Sequence, residues 1–180
     1  MSKTKVEVWD KPVRIMHWLL VLAVASAWFT RGRLDSWHEW LGYAALVIVA
    51  LRIVWGFIGS RHARFAQFVR APRASLRYLR EIATGRAPRH LGHNPLGGWM
   101  ILALLSCVSA LGLTGWLATT DWLWGYAWLA ELHAGLGWTF VTLVCLHLAG
   151  VLFSSWQHRE NLVAAMLSGR KAAPLDGDVR

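Results

Sequence analysis

The sequence has few charged side chains for its length. Only 16% of its 180 residues are Asp, Glu, Lys or Arg, whereas 56% are hydrophobic, and this balance excludes an ordinary soluble domain of this size. Acidic residues are the scarcer charge, because 10 Asp and Glu stand against 19 Lys and Arg. A net charge of +9 can indicate nucleic-acid binding, but that needs a basic face on a folded soluble domain. We therefore expect a membrane protein with no nucleic-acid partner.

Cysteine is also scarce. Cys107 and Cys145 both lie inside apolar runs, which indicates packing roles for them. The chain begins with polar residues, and no small-residue cleavage site follows its first apolar run. We therefore expect no cleaved signal peptide.

Four long apolar runs dominate the sequence. They predict membrane spans at about 13–31, 38–59, 95–118 and 131–154, because a helix needs roughly 20 apolar residues to cross about 30 Å of hydrocarbon. No internal repeat or separate soluble domain is visible. The sequence predicts one all-α domain, residues 1–180, that forms an integral membrane four-helix bundle.

The basic residues indicate the orientation of the spans. The segment 60–94 between spans two and three, here called the basic loop, contains eight arginines: Arg61, Arg64, Arg70, Arg73, Arg77, Arg80, Arg86 and Arg89. Lys and Arg accumulate in cytoplasmic loops. We therefore predict that the basic loop and both termini, including the tail 155–180, are cytoplasmic in a bacterial inner membrane. Arg31 and Arg33, between spans one and two, are the exception to this pattern. Five tryptophans would form an outer aromatic belt: Trp37, Trp40, Trp122, Trp124 and Trp128.

Two short interfacial helices are expected on the cytoplasmic side. In the basic loop, arginines 70, 73, 77 and 80 recur at helical spacing around and after Pro72. An arginine face would contact either anionic headgroups or a docking partner. The second short helix is predicted from 157 to 167.

Four histidines fall inside or at the ends of the spans: His17, His38, His133 and His147. Ionisable residues within a membrane are costly and usually functional, although a single histidine can simply hydrogen-bond between helices. On span four, His133 and His147 are 14 residues apart, which corresponds to about 21 Å of helix rise and nearly four full turns. Both imidazoles therefore leave one side of that span, His133 at the depth of His38 and His147 at the depth of His17.

Two level histidine pairs follow from these depths. Facing imidazoles from two helices bind a low-spin haem iron on both sides, whereas zinc needs a tetrahedral cluster. No Cys-x-x-Cys-His motif for covalent attachment is present. We therefore predict two non-covalent haems b, an inner one bound by His17 and His147 and an outer one bound by His38 and His133.

Other residues near these histidines are candidates for haem contacts. Gly42 and Gly137 each follow a histidine by four residues, at a position where a bound porphyrin needs room. Gly112 and Gly115 could leave room for a porphyrin from span three. Small residues also let membrane helices pack closely, so both interpretations stand.

Two arginines are candidates for haem propionate partners. Arg14 precedes His17 by three residues, and Arg52 interrupts an otherwise uncharged run. A cytoplasmic-interface role for Arg14, and snorkelling to the inner face for Arg52, are the alternatives. Four further histidines lie outside the spans and are interpreted as surface or interfacial residues, with proton delivery to a quinone as the alternative: His62, His90, His93 and His158.

The chain resembles a known family over nearly its whole length. The family's first-helix motif is similar to residues 14–18 (RIMHW). The start of its second helix is similar to residues 38–43 (HEWLGY), and the exit of that helix to residues 52–60 (RIVWGFIGS). Its tail is similar to residues 158–166 (HRENLVAAM). The family is the bacterial di-haem cytochrome b group, which includes cytochrome b561 and the b-type subunit of membrane-bound nickel-iron hydrogenases. The resemblance implies electron exchange with the quinone pool through four axial histidines.

The resemblance leaves the redox partner open, with a c-type cytochrome, a hydrogenase or another periplasmic oxidoreductase as candidates. An alternative function is that of a superoxide oxidase, which takes electrons from superoxide at the outer face and reduces quinone. That activity needs a positive funnel for the anion, and Arg31 and Arg33 are the candidates for it. A scaffold whose histidines only join helices is the third interpretation, and the matched depths argue against it.

Overall fold

The computed structural model describes residues 4–32 and 35–179, without the side chain of residue 35. In chain order the elements are β1 (Lys5–Glu7), α1 (Lys11–Thr30), α2 (Asp35–Ile58), a 3-10 turn (Arg61–Ala63), α3 (Phe65–Phe68), α4 (Pro72–Ala83), α5 (Pro95–Ala118), α6 (Ala127–Gln157), α7 (Leu162–Ser168) and β2 (Arg170–Ala172).

Within the described residues, four helices are long and apolar enough to cross a membrane, namely α1, α2, α5 and α6. Large apolar side chains on them face outward, such as Leu22, which is 63% exposed, and Ile58, which is 71% exposed. A soluble protein would bury such side chains, whereas in a bilayer they contact lipid tails. The predicted all-α membrane fold with four spans is confirmed.

The described residues group into two compact units. The first unit comprises residues 1–14, 54–102 and 146–180, and the second comprises 15–53 and 103–145. The first therefore contains both terminal segments and the basic loop, and the second contains the central parts of the four spans. The assignment of the whole chain to a single domain stays a prediction.

The two termini meet in the first unit. Strands β1 and β2 pair antiparallel, with Val6 opposite Lys171, and Trp9 lies in a small buried core with Val8 and Ala165. Because paired strands must lie on one side of a membrane, an even number of spans separates them. This pairing agrees with four spans and places both termini at the same face.

A buried ion network attaches the basic loop to the tail. Arg89 contacts Glu160 at 2.7 Å and Asp178 at 2.5 Å, and Lys171 contacts Glu160 at 3.0 Å. Burial alone would raise the pKa of Glu160, but the Arg89 hydrogen bond and the Lys171 charge lower it below its ordinary value. Burial lowers the pKa of Lys171 more than its pairing with Glu160 raises it. Because Arg89 belongs to the basic loop and its two partners belong to the tail, the basic loop lies at the same face as both termini.

Helix α4 is the predicted arginine-rich helix. Pro72 starts it, which suits a residue whose fixed φ is already helical and which lacks an N–H. Tyr78 is buried in the first unit, while Leu76 is 60% exposed on another face of the helix. The arginines and exposed leucines together give α4 the amphipathic character of an interfacial helix.

The short helix of the tail begins later than predicted. The sequence pattern predicted 157–167, whereas Gln157 still belongs to α6 and α7 covers Leu162–Ser168. The chain turns at Arg159, whose φ is +50°, and the Asn161 side chain then caps α7 by accepting from the Ala164 N–H at 2.8 Å. The periodicity of apolar residues could not show this break, because a cap depends on backbone geometry.

Candidate haem site

The structure brings one predicted histidine pair together. His38 on α2 and His133 on α6 both belong to the second unit, and their ring centroids are 6.0 Å apart with an interplanar angle of 80°. The two rings approach from different helices, as the depth argument required. The binding of a haem by this pair stays a prediction.

A hydrogen bond at Nδ1 orients each of these imidazoles. The His38 Nδ1 lies 2.9 Å from the carbonyl oxygen of Ala27, and a carbonyl only accepts, so His38 donates from Nδ1. The His133 Nδ1 lies 2.9 Å from the hydroxyl of Thr114, which itself donates to the Ala110 carbonyl at 2.8 Å. The hydroxyl oxygen therefore accepts from His133, and both histidines keep the Nε2 lone pair for a metal.

The geometry of the pair fits haem iron. An imidazole nitrogen lies about 2 Å from the metal it binds, and the ring centre lies about 1 Å further, so two axial imidazoles place their centroids about 6 Å apart. The measured separation of 6.0 Å agrees with this distance. Among residues 4–32 and 35–179, no three His, Cys, Asp or Glu side chains cluster as a metal site. His38 and His133 thus supply two nitrogen donors, the number that axial haem binding uses.

Two residues of α5 support the position of His133. Thr114, which the sequence interpretation missed, is only 7% exposed; α5 also contains Ser106 and Ser109, so a hydroxyl in an apolar run did not single it out. Gly115 lies beside the ring, since a Cβ there would be 3.3 Å from the His133 Cε1 atom. Gly112 has a different neighbour, because its Cβ would be 2.9 Å from Leu46. The structure therefore assigns Gly115 to the histidine and Gly112 to helix packing.

The two glycines predicted to give a porphyrin room have different surroundings. No described atom lies within 4 Å of the position that a Cβ on Gly42 would take. A Cβ on Gly137 would lie 3.8 Å from the Trp28 ring, which is ordinary contact. The space beside Gly42 fits the predicted role, and the assignment of both glycines to haem stays a prediction.

An aromatic cluster accompanies the pair in the second unit. The rings of Trp28 and Trp138 meet edge to face at 5.1 Å, and the Arg31 guanidinium lies 3.3 Å from the Trp28 ring centroid. Such cation–π contact holds an arginine without a carboxylate. Arg33, the second residue proposed to steer superoxide, lies outside the described residues.

The second predicted pair consists of His17 and His147. His17 is half-buried on α1 in the second unit and packs edge to face on Trp18, with ring centroids 5.1 Å apart. His147 is half-buried on α6 in the first unit. Both His133 and His147 lie within the single helix α6, as their predicted spacing requires. The pairing of His17 with His147 stays a prediction.

The candidate arginines lie in contrasting places. Arg14 donates through Nε and Nη2 to the carbonyl oxygens of Met166 and Leu167, so it caps the C-terminal end of α7. Arg52 is 8% exposed within α2. A buried arginine in a membrane span agrees with a buried anionic partner. The roles of both in binding propionate stay predictions.

The remaining histidines lie in the first unit, outside the four membrane helices. Burial, followed by the charges of His158, Lys171 and Arg70, lowers the pKa of His90 to about 4. Burial also lowers the pKa of His62, with the charges of Arg61 and Lys171 next. All four are partly buried, and their interpretation as surface or interfacial residues stays a prediction.

Comparison with known proteins places the chain in a family. A family model described as prokaryotic cytochrome b561 matches residues 8–169. A probable Ni/Fe-hydrogenase B-type cytochrome subunit of Rhodobacter capsulatus is 24% identical, with 94% of this chain and 82% of that protein covered. Its counterpart in Rhizobium leguminosarum bv. viciae is 24% identical, with 95% and 90% covered. The probable Ni/Fe-hydrogenase 1 B-type cytochrome subunit of Escherichia coli K12 is 27% identical, with 59% of each chain covered.

The region matched by the family model contains all four apolar helices and all four membrane histidines. The match thus covers the same part of the chain in which the imidazole pair was found. The chain therefore belongs to the prokaryotic cytochrome b561 family, and it is a membrane protein that carries haem b and transfers electrons.

Proposed function

We propose that the chain transfers electrons across a bacterial inner membrane through two haems b, between a periplasmic redox partner and the quinone pool. The observation that carries this proposal is the His38–His133 pair, whose ring centroids are 6.0 Å apart. Both Nδ1 atoms have backbone or hydroxyl acceptors, so each ring can present Nε2 to an iron. This is the outer haem site.

The inner site is proposed from the sequence spacing. His147 follows His133 by 14 residues on α6, a rise of about 21 Å, and His17 lies near the cytoplasmic start of α1 under the proposed orientation. Arg14 and Arg52 are proposed as propionate partners, and Gly42 and Gly137 as positions that leave room for porphyrin.

The protein contributes ligands, orientation and exclusion of water. His38 and His133 would hold a haem, which would supply one-electron transfer. The Ala27 carbonyl and the Thr114 hydroxyl keep His38 and His133 in one tautomer, which raises the basicity of each ring as a ligand. Thr114 is buried, so water does not compete for this hydrogen bond.

The orientation is proposed from the charge distribution. The basic loop and both termini share one face through the Arg89–Glu160 ion pair and the β1–β2 pairing. Under the positive-inside rule this arginine-rich face is cytoplasmic. The His38–His133 pair then belongs to the periplasmic half of the membrane.

The redox partner is proposed from the relatives. Those from Rhodobacter capsulatus and Rhizobium leguminosarum bv. viciae carry names that join them to Ni/Fe-hydrogenases, so a hydrogenase is one candidate partner. A c-type cytochrome or another periplasmic oxidoreductase is also compatible with an outer haem. Quinone is proposed as the exchangeable substrate within the membrane.

Haem content and alanine variants test this function. The wild-type protein should contain two haems per chain by a pyridine haemochrome assay. His38→Ala and His133→Ala should share the loss of one low-spin haem, and His17→Ala and His147→Ala should share the loss of the other, because each iron loses one axial ligand. His158→Ala, just beyond α6, serves as the control and should retain both.

Two results would contradict the proposal. A wild-type content of one haem per chain would remove the second site. Redox titrations in which His38→Ala resembled His17→Ala and differed from His133→Ala would show that the pairs are wrongly assigned.

A further inference from the structure

The first unit contains a cleft that the proposed electron transfer does not use. It has an empty volume of about 450 Å³ including its open mouth, and its polar lining comes from His62, Arg70, His90, His93 and Gln67. The cleft thus gathers three imidazoles and a guanidinium around one space. Such a lining suits an anion better than an apolar molecule.

The charges around the cleft are positive. No Asp or Glu belongs to its lining among the residues that the structure describes. Two carboxylates of the tail, Glu160 and Asp178, are bound by Arg89, and Glu160 also by Lys171. The charges of Arg61 and Lys171 lower the pKa of His62 in addition to the effect of burial, so positive charge prevails beside this ring. An anion in the cleft would meet unbalanced positive charge.

A helix N-terminus adds to this field. Pro95, which lines the cleft, is the first residue of the 24-residue helix α5. The N-terminal end of a helix carries a partial positive charge that stabilises anions nearby. The Asn94 side chain accepts from the Gly97 N–H at 2.7 Å, which satisfies one donor of the first turn without cancelling the aligned peptide dipoles.

The cleft lies at the depth of lipid headgroups. Because α5 is a membrane span that starts at Pro95, this residue marks the boundary between hydrocarbon and water. The interfacial helix α4 packs beside it, through the Ser75 hydroxyl, which donates to the Pro95 carbonyl at 3.4 Å, and through the Tyr78 ring, 5.3 Å from the His90 ring. Trp99, one turn into α5, donates to the Arg70 carbonyl at 3.1 Å. A phosphate carried by a phospholipid can reach this position.

We propose that this cleft binds a phosphate group, with Arg70, His62 and His90 as its principal ligands. A phospholipid headgroup and free inorganic phosphate are the two sources of this group. The site is distinct from the proposed haem ligands, because none of the residues that line it is a proposed iron ligand. Bound phosphate would link the basic loop to the start of α5.

Lipid retention in the intact haem-containing protein tests the proposal. The protein is reconstituted in phosphatidylcholine bilayers with or without phosphatidylglycerol and examined by native mass spectrometry. In parallel, inorganic phosphate is titrated into detergent-solubilised protein by calorimetry. Arg70→Gln and His62→Gln should each weaken binding by about tenfold, because each removes one charge-assisted or polar contact to the anion. Unchanged haem spectra show that each variant has folded.

Arg86→Gln is the matched control, because it removes an arginine from the same loop that does not line the cleft. Retained phosphatidylglycerol that is lost in Arg70→Gln, but not in Arg86→Gln, supports a lipid source. Calorimetric binding of phosphate with the same variant pattern, and no retained lipid, supports free phosphate. Equal weakening in Arg70→Gln and Arg86→Gln, or no binding in either assay, overturns the proposal.

Discussion

Replacing Thr114 by valine tests whether the hydroxyl tunes the outer haem through His133. The substitution keeps the branched shape of the side chain but removes the oxygen that lies 2.9 Å from the His133 Nδ1 atom. Without this acceptor, the imidazole becomes a less basic ligand and stabilises ferric iron less. We therefore expect the midpoint potential of the outer haem to rise, and its occupancy to fall.

The size of the change follows from the strength of one hydrogen bond. A buried hydrogen bond of this kind contributes about 1 kcal/mol, and Thr114 is only 7% exposed, so water does not replace it easily. If the whole contribution were lost from the ferric state, the potential would rise by about 40 mV, since 1.4 kcal/mol corresponds to about 59 mV for one electron. A smaller rise is expected where the ferrous state also loses stability.

A spectroscopic redox titration of the two haems measures this change. Thr139→Val is the matched control, because its hydroxyl donates to the Gly135 carbonyl on the same helix as His133 and is not bonded to a histidine. The control should leave both potentials where they are in the wild type. If Thr114→Val left the outer potential unchanged, lowered it, or shifted only the inner haem, the proposed role of the hydroxyl would be wrong.

Three further predictions follow from the described contacts. A C-terminal alkaline phosphatase fusion should be inactive and a C-terminal fluorescent protein fusion bright, since the tail is predicted to be cytoplasmic; the reverse pattern would invert the orientation. Glu160→Gln should lower the melting temperature at pH 7. The pKa of Glu160 is lowered in the folded protein, so its ion pairs stabilise the fold at pH values above its ordinary pKa of 4.5. That stability is lost as the pH falls below 4.5, so the melting temperatures of variant and wild type should converge there, and a constant difference would contradict the assignment. Gly115→Ala should reduce outer haem content, since its Cβ would lie 3.3 Å from the His133 ring. Gly112→Ala, whose Cβ would contact Leu46, should instead lower the melting temperature and leave the number of haems per chain unchanged. Equal haem loss in both variants would refute the different roles given to the two glycines.

The sequence alone was sufficient for the membrane fold. The four spans could be found because each needs about 20 apolar residues in a row, and this requirement is local in the chain. The arginine spacing of α4 was equally local, since a helical period is visible without knowledge of any neighbour. The matched depth of His38 and His133 was also predicted from sequence, because helix rise converts residue number into distance.

Tertiary structure decided how each of these residues is held. The Thr114 hydroxyl and the Ala27 carbonyl are separated from their histidines by 19 and 11 residues, and no spacing rule predicts which acceptor a ring will meet. The ion pair between Arg89 and Glu160 joins positions 71 residues apart, and it turns a loop predicted only as basic into part of a folded unit. Local periodicity determines which residues enter the membrane and at what depth, whereas hydrogen bonds and ion pairs depend on distances that exist only after the helices and the tail have packed.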